Sequence, residues 1–555
     1  MTEHAPLRDS GRGELAAECA TDQHGRRYAL VTVGAGSVAV PRRLFVGPLS
    51  KALEFLAERG IEIINPEEKR RLWRLVAQRS EVTRSLLVAD RPGWIATAAY
   101  ALPDGTFIVA GGVRTADLIC NFRADAAHAE QRDLQAWKAL YGPLLKRQTL
   151  LQGVLCFALQ APLIRLFGAE VGVRDNPLLV LVGPTSCGKT TALRVVGSLL
   201  GIGTMGTWAT TTNGLELMAQ RSADGVLLLD EVLVAGAGPR ARTELLSFAT
   251  MSLASGRGKV RMGQEEMAPA RFVLLSSANA ITTTNAKNAA ANDPALGVRM
   301  SVIDLVGREF GILDHAPDGG ASALIDALNA SAETCGGAPM RAFIMRLTRE
   351  LSVNPEELRN KVISAARRFE AEARKRGPLP PEVSRILGRF ALAFAAGLLA
   401  RDWGILPADW EKPGIGTFRL FRMASESLRA GAQQDAVARL ELALGKARHR
   451  FAEVGADATP GGGEPVGWLR RTPSGVLELV LRRKQFDSLF GTIADDLLPQ
   501  LRACGGLTVE GPDAAGKVHH AVHRKLTPDG RSERAIALRL NPAAYPEKLE
   551  VRRKS

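Results

Sequence analysis

The chain has 555 residues, 46% of them apolar and 23% charged, the balance of a folded globular protein of about three or four domains and not of a disordered, collagenous or disulfide-stapled chain. Lys and Arg number 72 against 58 Asp and Glu, a formal charge of +14, which favours polyanionic partners, nucleic acid above all; the competing reading is an Arg-rich protein whose charge serves solubility alone. Six cysteines (Cys19, Cys120, Cys156, Cys187, Cys335, Cys504) stand apart without CxxC spacing, so a reduced, cytoplasmic protein is expected, with neither zinc ribbon nor disulfide framework.

Residues 1–22 are polar and read as a flexible tail without the apolar core of a signal peptide. Residues 23–135 read as a small α/β or β-rich N-terminal domain. Tyr28–Val33 and Val38–Val40 are its expected strands, and Leu49–Arg59 and Glu67–Ser80 its helices. A helical stretch over 130–168 leads into residues 136–340. There the aliphatic runs Leu178–Val182, Val226–Leu229 and Phe272–Leu275 fit strands of a parallel sheet covered on both faces. Residues 341–430 are helical in pattern. A helix and linker follow over 431–465, with three glycines within Asp457–Pro465. In the last module, 466–555, Phe486–Cys504 reads as helical and Gly505–Gly506 as a stop. Leu507–Glu510, His519–Leu526 and Arg534–Leu540 are its expected strands. The longest apolar runs fall short of a bilayer span: Leu150–Gly168 is broken by Gln152, Gln160, Pro162 and Arg165, and Phe390–Ala400 has 11 residues between Arg389 and Arg401.

The strongest motif is Gly183-Pro184-Thr185-Ser186-Cys187-Gly188-Lys189-Thr190, a full G-x-x-x-x-G-K-[ST] between an aliphatic strand and a helical stretch that opens at Thr191. Glycines let backbone N–H groups curl round phosphates, and the helix N-terminus adds a favourable dipole. Lys189 is expected on the β and γ phosphates of ATP, and the Thr190 hydroxyl on Mg²⁺. Val226–Leu229 then runs into Asp230-Glu231, 40 residues after Thr190, placing two carboxylates at the sheet edge where α/β sheets bind ligands. Asp230 is expected in the Mg²⁺ shell and Glu231 as the base for the attacking water, which argues for hydrolysis. Phe272–Leu275 runs into Ser276-Ser277-Ala278-Asn279. In P-loop ATPases with an additional strand, a polar residue here senses the γ-phosphate, with Asn279 the first choice and Ser277 the second.

Strand-GPTSCGKT, LLLDE and LLSSAN in this order resemble the AAA+ superfamily. Residues 28–120, Trp208–Leu217 (WATTTNGLEL) and Arg385–Pro407 (RILGRFALAFAAGLLARDWGILP) further resemble a helicase-like family of phages, plasmids and mobile islands, the domain of unknown function 927, which is itself similar to the minichromosome-maintenance branch of AAA+. The resemblance implies an α/β AAA+ core with a helical lid over 341–430. It makes the basic segment Arg257, Lys259, Arg261 a pore hairpin gripping single-stranded DNA through phosphate charge. It makes Arg299 an arginine finger reaching a neighbour's ATP, with Arg308 as fallback. Arg385, preferred over Arg389, becomes a lid sensor of the γ-phosphate. A finger acting between subunits implies a homo-oligomeric ring, expected as a hexamer. The 466–555 module is expected to be a winged helix. It carries ten Lys or Arg against four Asp or Glu from 517 onward, which suits duplex DNA. The expected function is an ATP- and Mg²⁺-dependent DNA helicase or translocase of a mobile element, acting in replication. The alternatives are a protein-remodelling AAA+ ATPase, disfavoured because the hairpin has no aromatic residue, and a DNA-bound nucleotide switch in origin binding or defence.

Overall fold

A computed structural model of the chain describes residues 3–4, 14–124, 133–201, 205–231, 249–256, 269–279, 298–334, 336–375, 377–429, 451–453, 465–490, 494–503, 505–509, 520–524, 526 and 532–540. The chain divides into two compact units, Met1–Leu428 and Arg429–Ser555.

The first unit opens with β1 (Glu3–His4), β2 (Leu15–Thr21), β3 (Arg27–Val33), β4 (Gly36–Pro41), α1 (Leu49–Ala57), α2 (Pro66–Gln78), β5 (Arg84–Ser85), β6 (Leu87–Ala89), β7 (Gly93–Ala96), β8 (Ala99–Ala101), β9 (Phe107–Val109) and β10 (Leu118–Cys120). One sheet has the order β4-β3-β2-β5 and another β1-β9-β8-β7, while β6 pairs with β10. The segment read as a flexible tail thus needs correcting, because its residues 15–21 form β2, paired with β3 from Leu15↔Val33 to Thr21↔Arg27. Leu15, Ala17 and Cys19 are buried while Ala16 and Glu18 are exposed. That period of two in burial is written in small residues, which hides it in the sequence. The two helices expected here form as α1 and α2 over bounds within two residues of those read from spacing. Asn65 caps α2 through its side chain, and Pro66 opens it.

Helices α3 (Leu134–Leu145), α4 (Thr149–Leu159) and α5 (Ala161–Phe167) lead to the central sheet of β11 (Leu178–Gly183), β12 (Gly206–Thr207), β13 (Val226–Asp230), β14 (Val273–Asn279) and β15 (Met300–Asp304). Its order is β12-β13-β14-β11-β15, parallel throughout. Leu179 and Leu181 of β11 enter one core, with Leu193 and Val196 of α6 (Lys189–Leu200). Leu178, Val180 and Val182 enter the other, with Trp208, just past β12, and Leu215 of α7 (Thr212–Arg221). Burial on both faces explains why the strands read as unbroken aliphatic runs. β14 continues through Ser276–Asn279 instead of turning there, because it lies between β11 and β13 and β11 pairs with it up to Asn279.

Helices α8 (Gly320–Thr334), α9 (Ala338–Val353), α10 (Pro355–Arg374) and α11 (Pro381–Asp402) follow, and residues 413–429 are helical as well. With its 22 residues, α11 is longer than the apolar run suggested and is long and apolar enough to cross a membrane, but 83% of its apolar window is buried inside the protein. It lies tightly on α4: a Cβ at Gly397 would meet the Cys156 sulfur at 2.6 Å.

A buried carboxylate joins the N-terminal part to the sheet. Asp224 sits two residues before β13 with φ 53°, and its side chain accepts from the Trp94 amide at 3.0 Å and from Arg165 at 3.3 Å. Its carbonyl accepts from the Tyr100 hydroxyl at 2.9 Å. Burial raises its pKa, against the opposing pull of Arg165 and the Trp94 amide. Arg165 is 44% exposed and can be hydrated, so the main cost of Asp224→Ala is the orphaned Trp94 amide. Chemical denaturation should show a loss of about 1–3 kcal/mol.

The second unit carries β16 (Phe451–Glu453), β17 (Gly467–Arg471), β18 (Leu477–Arg482), α12 (Arg483–Phe490), α13 (Ala494–Ala503), β19 (Leu507–Thr508), β20 (Val522–Arg524) and β21 (Glu533–Leu540). The sheet order is β16-β17-β18-β21-β19, with β20 also on β21. Phe486, Phe490 and Leu501 pack on Leu479, Leu481, Ile536 and Leu538. The β17–β18 hairpin was not read from sequence. It turns at Gly475, φ 82°, and arginines at its strand ends mask the apolar alternation.

Candidate nucleotide-binding site

All six residues of β11 are buried, and α6 begins at Lys189, so residues 184–188 make the whole turn between strand and helix. Ser186 (φ 65°) and Gly188 (φ 81°) are left-handed, which curls the amides inward. At Gly188 a Cβ would also lie 2.5 Å from Ile312, so only glycine fits. The Lys189 ammonium is 8% exposed by residue and donates to the carbonyls of Pro184 at 2.6 Å and Gly183 at 3.1 Å. It is thereby held over the loop, where phosphate would lie.

The ends of two strands and the start of helix α6 converge on one oxygen beside this loop. Asp230 Oδ1 accepts from Thr190 Oγ1 at 3.3 Å, from the Glu231 amide at 3.1 Å and from Ser277 Oγ in a short contact. The Glu231 amide also donates to Ser277 Oγ at 3.0 Å, and Glu231 itself is left-handed at φ 57°. Thr190 and Asp230 therefore bring two hard oxygens together, a donor set that fits Mg²⁺. The register Gly183↔Asn279 puts the Asn279 backbone beside the start of the loop. Ser277, the second choice for the polar position on β14, is the residue bonded to Asp230.

Sequence reasoning missed the cleft's other wall. A cleft of 580 Å³ lies between residues 184–191 and Arg308, Glu309, Phe310, Gly311 and Leu313, with Ala321, Ser322 and Ile325 of α8. The Ile312 amide donates to the Cys187 carbonyl at 2.9 Å. Gly311 has φ 59°, and a Cβ there would clash with that carbonyl. The available signal was Gly307-Arg-Glu-Phe-Gly311, a glycine-bounded turn just past a strand.

The arginines fall into two places. Arg308 lies at this chain's own cleft, bonded to the carbonyls of Gly311 (2.6 Å) and Leu313 (2.8 Å) and ion-paired with Asp314 at 3.1 Å. The fallback finger thus lines this chain's own cleft. Arg299 precedes β15, whose first pair is Met300↔Leu178. It therefore stands at the edge of the sheet opposite the P-loop, about 16 Å away along the strand. Its guanidinium lies 3.2 Å from Met251 Sδ and 3.9 Å from Asp175. Arg385 is exposed on α11, and Arg389, one turn on, is buried and donates to the Arg299 carbonyl at 2.9 Å. Arg385 lies one turn before Arg389 on α11 and is not among the residues lining the cleft. Arg257, Lys259 and Arg261 lie outside the described residues.

No curated protein matches the chain by sequence. Among solved structures, one described as "SCCmec type IV Cch - active helicase" is similar at a TM-score of 0.61 and 16% identity, covering 96% of this chain and 94% of that one. The likeness shows a shared mixed α/β fold with a parallel sheet. Residues 31–270 match the model of the domain of unknown function DUF927. The family resemblance carried by the motifs is thereby borne out: over residues 31–270 the chain matches the domain of unknown function DUF927.

Proposed function

We propose that this chain is an AAA+ ATPase acting as a DNA helicase or translocase of a mobile genetic element, working in the cytoplasm in that element's replication. The observation that carries the reading is the junction at Asp230, where the P-loop threonine, the carboxylate ending β13 and the β14 serine share one oxygen. The order β12-β13-β14-β11-β15, with β14 between the P-loop strand and the carboxylate strand, supports an additional-strand ATPase. The likeness to a structure described as an active helicase supports the motor.

In this reading the residue 184–191 amides and Lys189 hold the ATP phosphates, and Thr190 and Asp230 hold Mg²⁺, which offsets charge building on the phosphate oxygens. Glu231 takes the proton of the water whose oxygen bonds to the γ-phosphorus as the bond to ADP breaks. Asn279 orients that water. Arg299 serves the neighbouring subunit in a homo-hexameric ring, and Arg385 senses the γ-phosphate from the lid formed by helices α9–α11. Arg257, Lys259 and Arg261 grip single-stranded DNA in the pore, and residues 466–555, as a winged helix, meet duplex DNA. Strand separation tests this: the purified chain with ATP should part a forked DNA duplex, Lys189→Ala should not, and separation with a non-hydrolysable analogue would refute the motor.

A further inference from the structure

Arg389 is 4% exposed within α11, and burial brings its guanidinium down to about 10. A buried guanidinium is costly unless it is paired and bonded, and a purely structural arginine would be expected to own a carboxylate. Arg389 does not. It donates to the backbone carbonyl of Arg299 at 2.9 Å. The acidic group acting on it, Asp175, lies 3.9 Å from the Arg299 Nε, and the Arg299 charge itself opposes that of Arg389. Arg299 and Arg389 thus lie together beside Asp175 at the sheet edge away from this chain's own P-loop.

We propose that Arg389 is a positioning residue for Arg299. Its hydrogen bond fixes the backbone immediately before β15 and ties the root of the Arg299 side chain to α11. The charge offered to a neighbour's nucleotide then depends on where α11 lies, so lid and finger move as one piece. This inference rests on the reading of Arg299 as a finger acting between subunits.

The test uses the full chain and variants at both positions. Arg389→Met removes the donors and keeps an apolar stem; Arg389→Lys keeps charge and one donor group, and it carries the same comparison should the methionine variant not fold. Arg389→Met is expected to lower kcat on the order of 10²-fold, the cost of misplacing a catalytic group by about 1 Å, with ATP affinity unchanged. Arg389→Lys should recover most of that loss. The decisive readout is mixing with Lys189→Ala, which lacks a working nucleotide site but keeps its finger. Turnover should return when Lys189→Ala is added to Arg389→Met, because the intact finger serves the intact site. Arg299→Ala should be rescued in the same way. If Arg299→Ala is rescued and Arg389→Met is not, or if Arg389→Met turns over at the wild-type rate, the tether is overturned and the finger stands. If Arg299→Ala is neither impaired nor rescued, the finger reading itself fails.

Discussion

Arg299→Ala is expected to slow ATP turnover by about 10³–10⁵-fold while ATP still binds, the range for removing an arginine that stabilises a phosphoryl-transfer transition state. Arg299 stands just before β15, at the opposite end of the sheet from Gly183, and the length of a six-residue strand separates it from its own P-loop. A guanidinium there cannot serve its own nucleotide, yet it is held in place by the Arg389 bond to its carbonyl. Lysine at 299 should not restore the rate, since a point charge does not reproduce the planar fork that pairs with phosphate oxygens. The check is steady-state turnover alongside equilibrium binding of a fluorescent ATP analogue. Unchanged turnover would return Arg299 to an ordinary strand-end residue.

Glu231→Gln should lower turnover by about 10²–10⁴-fold, the contribution of a general base, again with ATP bound. The substitution keeps size and leaves the backbone contacts intact, because the Glu231 amide, not its side chain, bonds Ser277 and Asp230. Structural collapse is therefore not expected. A single-turnover experiment should find ATP bound and uncleaved. If instead ATP binding is lost, Glu231 belongs to the architecture of the Asp230 junction and another group takes the proton.

The P-loop and the Asp230-Glu231 strand end were legible because each couples a local residue pattern to a change of period, from aliphatic strand to helix or turn. The helices α1 and α2 were legible for the same reason. Three features were not. The strand β2 was hidden because exposed Ala16 and buried Ala17 and Ala20 are the same residue, so burial changes along it without a change in polarity. The second wall of the cleft comes from Arg308–Leu313 and α8. It meets the P-loop only through tertiary contacts such as Ile312 to Cys187, which no spacing encodes. The arginines were legible as a set but not by role. Nothing in the local sequence distinguishes exposed Arg385 from buried Arg389 four residues on, or places Arg308 in its own cleft and Arg299 at the far edge.

The measurement that bears most directly on the account is ATP turnover by the purified chain with and without single-stranded DNA, beside Lys189→Ala and Lys259→Ala. Turnover should rise with DNA, vanish in Lys189→Ala, and in Lys259→Ala persist without the rise. Turnover indifferent to DNA would contradict the helicase claim and leave a P-loop ATPase that remodels protein or acts as a switch.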